Sequence, residues 1–241
     1  MVASWGSSRA GSILKTDLFD EASGPFNHAA DLEPRFRFVG VDRDAVVVKA
    51  ARERLGPTAD CLIADVRQLP FARDCFVGIF SPSTLDHFED KREIRASLSE
   101  LLRVVSARGR LFLLLDNPWN IEVALRRALP DWLVSMIRTD QFALGETLSG
   151  PDGTRWLDEV GFSVLRTDYL LHLVRYPSIR LMAWLDRPTG RRLLDLVLRI
   201  GAASEGLARL PTRFLTGHYV GWVATKQAKA GGATGSYGRK T

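Results

Sequence analysis

The chain has few cysteines and no long apolar run, and each absence limits what it can be. Its 241 residues include two cysteines, Cys61 and Cys75, and no histidine lies at ligand spacing from either. We therefore expect neither a disulfide framework nor a metal site, and we expect a reducing, cytoplasmic setting. No stretch reaches the roughly 18 uninterrupted apolar residues of a membrane span. The N-terminus also lacks the apolar core of a signal peptide.

Glycine-rich motifs that bind phosphate groups are missing as well. The P-loop pattern G-x-x-x-x-G-K-[ST] does not occur. No G-x-G-x-x-G follows the first predicted strand, which counts against a dinucleotide cofactor because its pyrophosphate needs bare backbone at a helix N-terminus. The central region has no Tyr-x-x-x-Lys pair. A nicotinamide-dependent enzyme of the short-chain type is therefore the weakest of the three interpretations that we consider.

The net charge of the chain is +5. A basic balance can attract nucleic acid or anionic lipid. The arginines are spread along predicted helices rather than clustered with aromatic residues, so we interpret them as solvated helix faces. We expect no nucleic-acid partner.

The hydrophobic pattern predicts one doubly wound α/β domain with a mostly parallel sheet and helices on both faces. Strand and helix alternate five times in the first half of the chain, as in a parallel sheet. Strands are predicted at 12–16, 37–42, 61–65, 76–81, 110–116, 162–174 and 217–225. Helices are predicted at 19–30 with an interruption near Gly24-Pro25, at 45–55, at 91–105, at 121–138 with an interruption at Pro130, at 153–160, and as two helices within 178–209 separated by residues 188–190. We expect an N-terminal tail over 1–11, a single domain over 12–226 and a disordered tail over 227–241.

Two helical insertions, at about 119–150 and 178–212, interrupt this rhythm. The second carries apolar stripes at helical spacing with interleaved arginines. We interpret the insertions as a lid over the site. The alternative is a surface that contacts a membrane peripherally and admits a lipid-like acceptor.

Acidic side chains stand where the predicted strands end, and ligands of doubly wound sheets bind at that edge. Asp42, after the second strand, can accept both hydroxyls of a ribose. A plain helix-capping role is the alternative for an acid there, but Asp44 can fill that role. Asp65, after the third strand, can accept the amine of adenine while the amide of Val66 donates to a ring nitrogen; a turn residue is the alternative. Two such acids without a phosphate loop suit a nucleoside ligand.

Three further segments carry a family resemblance. They read Ala-Asp-Val-Arg-Gln-Leu-Pro-Phe (64–71), Ser-Pro-Ser-Thr-Leu-Asp-His-Phe (81–88) and Leu-Leu-Arg-Val-Val-Ser-Ala-Arg-Gly-Arg-Leu (101–111). Over residues 12–117 the chain resembles the class I S-adenosylmethionine-dependent methyltransferases, particularly the small-molecule branch typified by the ubiquinone and menaquinone methylating enzymes. The resemblance implies a seven-stranded sheet whose last strand is antiparallel, a small-molecule or lipid-like acceptor, and a cofactor-binding set of Thr16, Asp17, Asp42, Arg43, Asp65, Val66 and Ser81.

The first motif departs from that family. Where the family has an acid followed by alternating glycines, residues 15–24 read Lys-Thr-Asp-Leu-Phe-Asp-Glu-Ala-Ser-Gly. Leu18 and Phe19 are expected to crowd the cofactor path unless the loop is rebuilt. Either Asp17 binds the methionine ammonium directly, or the chain is a non-catalytic binding or regulatory relative with a decayed cofactor loop.

His87 is the candidate catalytic base. It follows the fourth strand, near where a transferred methyl group would point, and an ordinary imidazole pKa near 6.5 suits proton removal at neutral pH. A structural histidine that bonds a loop carbonyl is the alternative. Asp86 and Asp116 are weaker candidates for the same role.

Overall fold

A computed structural model describes residues 10–24, 35–129, 145–172 and 191–227. Its seven strands form one sheet in the order β3-β2-β1-β4-β5-β7-β6, so the predicted doubly wound class is confirmed. The strands are β1 (Gly11–Lys15), β2 (Phe36–Asp42), β3 (Ala59–Ile63), β4 (Phe76–Pro82), β5 (Val105–Asp116), β6 (Phe162–Leu170) and β7 (Tyr219–Lys226).

The helices lie between these strands in chain order. The α-helices are α1 (Phe19–Ser23), α2 (Ala45–Leu55), α3 (Lys91–Val104), α4 (Ile121–Ala128), α5 (Gly150–Val160), α6 (Arg191–Ser204) and α7 (Arg213–Thr216), with short 3₁₀ turns at Gly56–Thr58, Leu85–His87 and Glu205–Arg209.

The strand order reverses between β1 and β4, and this reversal positions the site. Strand β1 pairs in parallel with β2 on one side and with β4 on the other. Chain segments leaving β1 and β4 therefore diverge to opposite sides, which opens a crevice at their carboxyl ends. At the far side of the sheet, β7 runs antiparallel to both β5 and β6, as the resemblance implies.

Local capping explains why several helices begin where they do. The Asp44 carboxylate accepts a hydrogen bond from the amide of Val46 at 2.7 Å, so α2 begins at residue 45. It ends at Gly56, whose φ of 61° suits glycine. Both limits of this helix were predicted. Helix α5 begins at Gly150, three residues earlier than predicted, because Ser149 caps its first turn.

Several strand limits differ from the predictions. Strand β3 covers residues 59–63 rather than 61–65, since it pairs with β2 from Ala59 onward, and Asp65 lies in the following turn. Strand β5 begins at Val105 because that residue already pairs with Phe76. Strand β6 ends at Leu170 rather than at residue 174. The predicted helix over 19–30 ends at Ser23, with residues 25–30 outside the described part.

The β6–β7 side of the sheet is packed around one indole. Trp222 of β7 is 1% exposed. Its Nε1 donates to the Gly150 carbonyl and to Thr154 Oγ1, both at 3.2 Å. A Cβ atom on Gly153 would lie 2.1 Å from the ring, so a glycine is required for helix α5 to approach the sheet this closely.

Helix α6 carries the apolar stripe of the second insertion. Leu193, Leu196 and Ile200 are each about half exposed on one face of this helix. No helix in the described ranges is both long and apolar enough to cross a bilayer. Residues 130–144 and 173–190 of the two insertions, like both chain ends, lie outside the described residues, so the lid interpretation and the domain limits stay predictions.

Candidate cofactor and acceptor site

The exits of β1 and β4 are joined by hydroxyl groups. Thr16 Oγ1 donates to Ser81 Oγ at 2.9 Å and lies 2.8 Å from Thr84 Oγ1. Thr16 and Ser81 are 3% and 0% exposed. The structure thus brings together two residues of the predicted cofactor-binding set at the point where strand order reverses.

A buried lysine organises the loop that follows β1. Lys15 Nζ donates to Glu21 Oε2 at 2.7 Å, to Asp17 Oδ1 at 3.3 Å and to the Asp17 carbonyl at 3.0 Å. Lys15 and Glu21 are 0% and 1% exposed. Burial lowers the pKa of Lys15, but the two carboxylates outweigh it and the net pKa is raised. The loop after β1 is thus held by charged side chains.

The Lys15–Asp17–Glu21 trio carries one more negative charge than positive. Asp17 Oδ2 is buried and accepts no hydrogen bond from the described residues. Burial raises the pKa of Asp17 to about 6, against the opposing effect of Lys15. A buried carboxylate oxygen without a donor is costly, and a cationic ligand group at this exit would complete it.

Leu18 does not crowd the crevice, and the expectation that it would was wrong. Its side chain is fully buried and packs with Phe38 and Val48 in the layer between the sheet and α2. A Cβ atom on Gly40 would lie 2.3 Å from Leu18 Cδ2, so the glycine on β2 provides the space. Phe19 is instead 49% exposed.

Asp42 holds the same loop from the neighbouring strand. Its Oδ2 accepts from the amide of Leu18 at 3.0 Å, and its Oδ1 accepts from the amide of Asp44 at 2.9 Å. The side chain is half-buried. Each carboxylate oxygen has a second lone pair, so the group can still accept hydroxyl donors from a ligand. Arg43 follows it and is exposed.

Asp65 is engaged more closely than the sequence indicated. Arg67 binds it through Nε to Oδ1 at 2.9 Å and through Nη2 to Oδ2 at 2.5 Å. The Arg67 guanidinium, hydrogen bonded to this carboxylate, holds the pKa of Asp65 below its usual value. Arg67 also pairs with Glu93. Val66, beside it, is buried. An adenine at this exit would share Asp65 with Arg67.

The loop after β4 is held in a strained backbone conformation. Ser83 has a φ of 47°, which is uncommon outside glycine and costs on the order of 1–3 kcal/mol. Its amide donates to the Leu114 carbonyl at 2.8 Å, and its hydroxyl donates to Asp86 Oδ2 at 2.9 Å. This turn places Asp86 inside the protein and leaves His87 exposed.

Buried carboxylates meet a histidine at the exits of β4 and β5. Asp86 Oδ2 also accepts from the amide of Asp116 at 2.7 Å. His218 is fully buried. It lies between two acids, with Nε2 3.6 Å from Asp116 Oδ1 and Nδ1 3.5 Å from Glu122 Oε2. Burial and the neighbouring Asp116 charge raise the pKa of Asp86 to about 6.

Sequence reasoning missed Lys15, Glu21 and His218 as site residues. A lysine inside an apolar strand run, with an acid six positions later, is a signal that could have indicated the buried pair. Nothing local identifies His218, because its neighbours are about 100 positions away. No group of three metal-ligating side chains occurs among the residues described.

Comparison with known proteins bears on the family and the fold. Residues 20–113 match the family described as "Methyltransferase domain", and the match begins within the variant first motif at 15–24. A search of curated proteins finds none that matches.

Solved structures share the fold at low identity. The [4+2]-cyclase SpnF has a TM-score of 0.60 and 19% identity, with 95% of this chain and 80% of that one covered. Geranyl diphosphate C-methyltransferase from Streptomyces coelicolor, solved with S-adenosyl-L-homocysteine, has a TM-score of 0.56 and 15% identity, with 91% and 74% covered.

A phosphoethanolamine N-methyltransferase from Haemonchus contortus, solved with S-adenosyl-L-methionine, has a TM-score of 0.60 and 13% identity. The match covers 93% of this chain and 50% of that longer one. Residues 20–113 are thus similar to the methyltransferase domain family, and the chain has the fold of the class I S-adenosylmethionine-dependent methyltransferases.

Proposed function

We propose that the chain binds S-adenosylmethionine at the β1–β2 exits and transfers its methyl group to a small organic acceptor. The observation that carries this proposal is the buried Asp17 oxygen without a donor, in a trio with one excess negative charge. The methionine part of the cofactor bears an ammonium group, which is the donor that this oxygen lacks.

Other residues would hold the adenosyl part. Asp42 retains lone pairs toward the crevice and would accept the ribose hydroxyls, with Arg43 beside it. Asp65 and the Val66 amide would contact the adenine. Thr16 and Ser81, already hydrogen bonded to each other, would lie against the methionine part.

When bound, the cofactor supplies an electrophilic methyl group on a sulfonium sulfur. The chain's contribution is alignment of the acceptor and removal of its proton. His87, exposed after β4, would take that proton where the acceptor is a hydroxyl. We place the chain with the small-molecule branch typified by the ubiquinone and menaquinone methylating enzymes, without assigning its acceptor to the quinones, and infer that the two insertions cover the acceptor.

Calorimetric titration tests the proposal. S-adenosylhomocysteine should bind the wild-type chain, and NAD should not. Asp42→Asn should weaken binding by about 10- to 100-fold, the loss expected for a hydrogen bond to a charged group. Asp195→Asn, at an exposed position on α6, is the matched control. Absence of heat with S-adenosylhomocysteine would favour the non-catalytic alternative.

A further inference from the structure

A second pair of incomplete carboxylates lies apart from the cofactor loop. Asp86 follows β4 and Asp116 ends β5, and they are 3% and 9% exposed. One oxygen of each, Asp86 Oδ1 and Asp116 Oδ1, is buried and accepts no hydrogen bond within the described ranges. No lysine or arginine of those ranges forms an ion pair with either.

The residues around this pair donate hydrogen bonds to one of the two Asp86 carboxylate oxygens and leave the other without a donor. Ser83 Oγ and the Asp116 amide both bind Asp86 Oδ2, which fixes the Asp86 carboxylate with its other oxygen unpaired. Thr147 Oγ1 donates to the backbone carbonyl of Asp116 at 2.5 Å. The neighbour of the Asp116 side chain is His218, whose Nε2 lies 3.6 Å from Asp116 Oδ1. A strained Ser83 and a buried histidine thus support carboxylates that the fold itself leaves incomplete.

Burying two neighbouring carboxylates without full pairing is unfavourable for folding alone. Local strain and uncompensated charge of this kind concentrate where a ligand completes the arrangement. The missing group would donate hydrogen bonds, since both unpaired atoms are carboxylate oxygens. A positive charge on that group would offset two acids whose neighbouring basic side chains are His87 and His218.

An organic ammonium fits better than a metal ion. The described residues contain no group of three side chains suited to a metal. Trp119, three residues beyond β5, is 42% exposed and packs edge-on against Phe214. An exposed indole three residues after Asp116 is a side chain of the kind that attracts organic cations.

We propose that the Asp86–Asp116 pair is the subsite that recognises the acceptor, and that it takes a protonated amino group of a basic small molecule. This inference rests on the proposed methyl-transfer function, because the pair is an acceptor subsite only if the chain transfers a methyl group. It narrows the acceptor class from any small organic molecule to those that carry an amino group. The ammonium bound here has no lone pair, so it serves recognition, and another atom of the acceptor receives the methyl group.

Amide NMR with a minimal probe tests the inference. Ethylammonium is titrated into the chain saturated with S-adenosylhomocysteine, and the amide resonances of Ser83 and Asp116 are followed. A ligand of three heavy atoms reaches a Kd of about 1 mM at best. We expect saturable shifts with a Kd of about 1–20 mM. Ethanol, of the same size without charge, should give none.

Two variants separate recognition from structural effects. Asp116→Asn should remove saturation by ethylammonium, and Asp86→Asn should weaken it at least tenfold, while both retain S-adenosylhomocysteine binding. The control Asp195→Asn should behave as wild type. Equal responses to ethylammonium and ethanol, or an unchanged response in Asp116→Asn, would overturn the inference. So would a complete lack of shift, which would mean that another part of the chain supplies the cation.

The two proposals fail separately. Heat with S-adenosylhomocysteine but no ethylammonium response refutes the amine subsite and leaves methyl transfer intact. No heat with S-adenosylhomocysteine refutes the proposed function, and the subsite loses its role as an acceptor site.

Discussion

Replacing Asp86 by asparagine should stabilise the protein at neutral pH. Burial, chiefly, raises the pKa of this carboxyl from 3.8 to about 6. The folded state then holds the Asp86 proton more tightly than the unfolded state does. The stabilisation that this proton gives the folded state is complete below about pH 4 and is lost as the pH rises through 6. A shift of about two pH units corresponds to ~3 kcal/mol.

The asparagine side chain suits the site. Its amide oxygen can accept the hydrogen bonds from Ser83 and from the amide of Asp116 that Asp86 Oδ2 accepts now. Its NH₂ group would stand where the unpaired oxygen is, beside the Asp116 carboxylate. We expect Asp86→Asn to gain about 2–3 kcal/mol of unfolding free energy at pH 7.5 and nothing at pH 4.

Urea unfolding at half-unit intervals from pH 4 to pH 8 measures this difference. The unfolding free energy of the wild type should fall with rising pH as both Asp17 and Asp86 ionise. In the variant, only the ionisation of Asp17 should lower it. In a domain of this size the gain corresponds to a rise in Tm of about 4–12 °C at pH 7.5. Asp195→Asn should follow the wild type at every pH. A variant that is less stable at pH 7.5, or a difference that persists at pH 4, would refute the reasoning.

Further predictions concern the loop and the base. Lys15→Met should lower the unfolding free energy measured in urea by about 3–5 kcal/mol, because it leaves buried carboxylates uncompensated. Adding Glu21→Gln should restore a measurable part of this loss. If the effects of the two single changes simply added in the double variant, that would count against the ion pair. Gly40→Ala should cost about 1–3 kcal/mol by displacing Leu18, and combining it with Leu18→Ala should cost less than the sum of the single changes. His87→Ala should lower turnover with a hydroxyl acceptor at unchanged S-adenosylhomocysteine affinity; unchanged turnover would remove it from the mechanism.

The part of the site that follows from strand periodicity could be predicted from the sequence. An apolar run ending in an acid indicates a buried parallel strand, so Asp42 was placed at the correct edge of the sheet. The cap at Asp44 and the glycine at Gly56 gave the two limits of α2 by equally local signals. Other limits predicted from short-range pattern differ more, since β5 begins five residues before the predicted 110 and the helix predicted over 19–30 ends at Ser23.

Long-range pairing could not be predicted. His218 meets Asp116 because β7 folds back against β5, with Asp116 opposite Tyr219, and no local pattern specifies that register. The hydrophobicity of Leu18 indicated crowding of the crevice, but its direction depends on Gly40 of another strand. Asp65 was expected to face a ligand. Its ion pair with Arg67 depends on side-chain rotamers that a sequence does not specify.

The buried lysine at the end of β1 has a consequence for how this loop can change over evolutionary time. Replacing Lys15 alone leaves two buried carboxylates without a cation. Replacing one of the two acids alone changes the net charge of the groups that remain. Single replacements at these three positions are therefore disfavoured, and we expect Lys15, Asp17 and Glu21 to be inherited together or exchanged together. Relatives that keep the trio would escape recognition by any search that requires glycines at this turn.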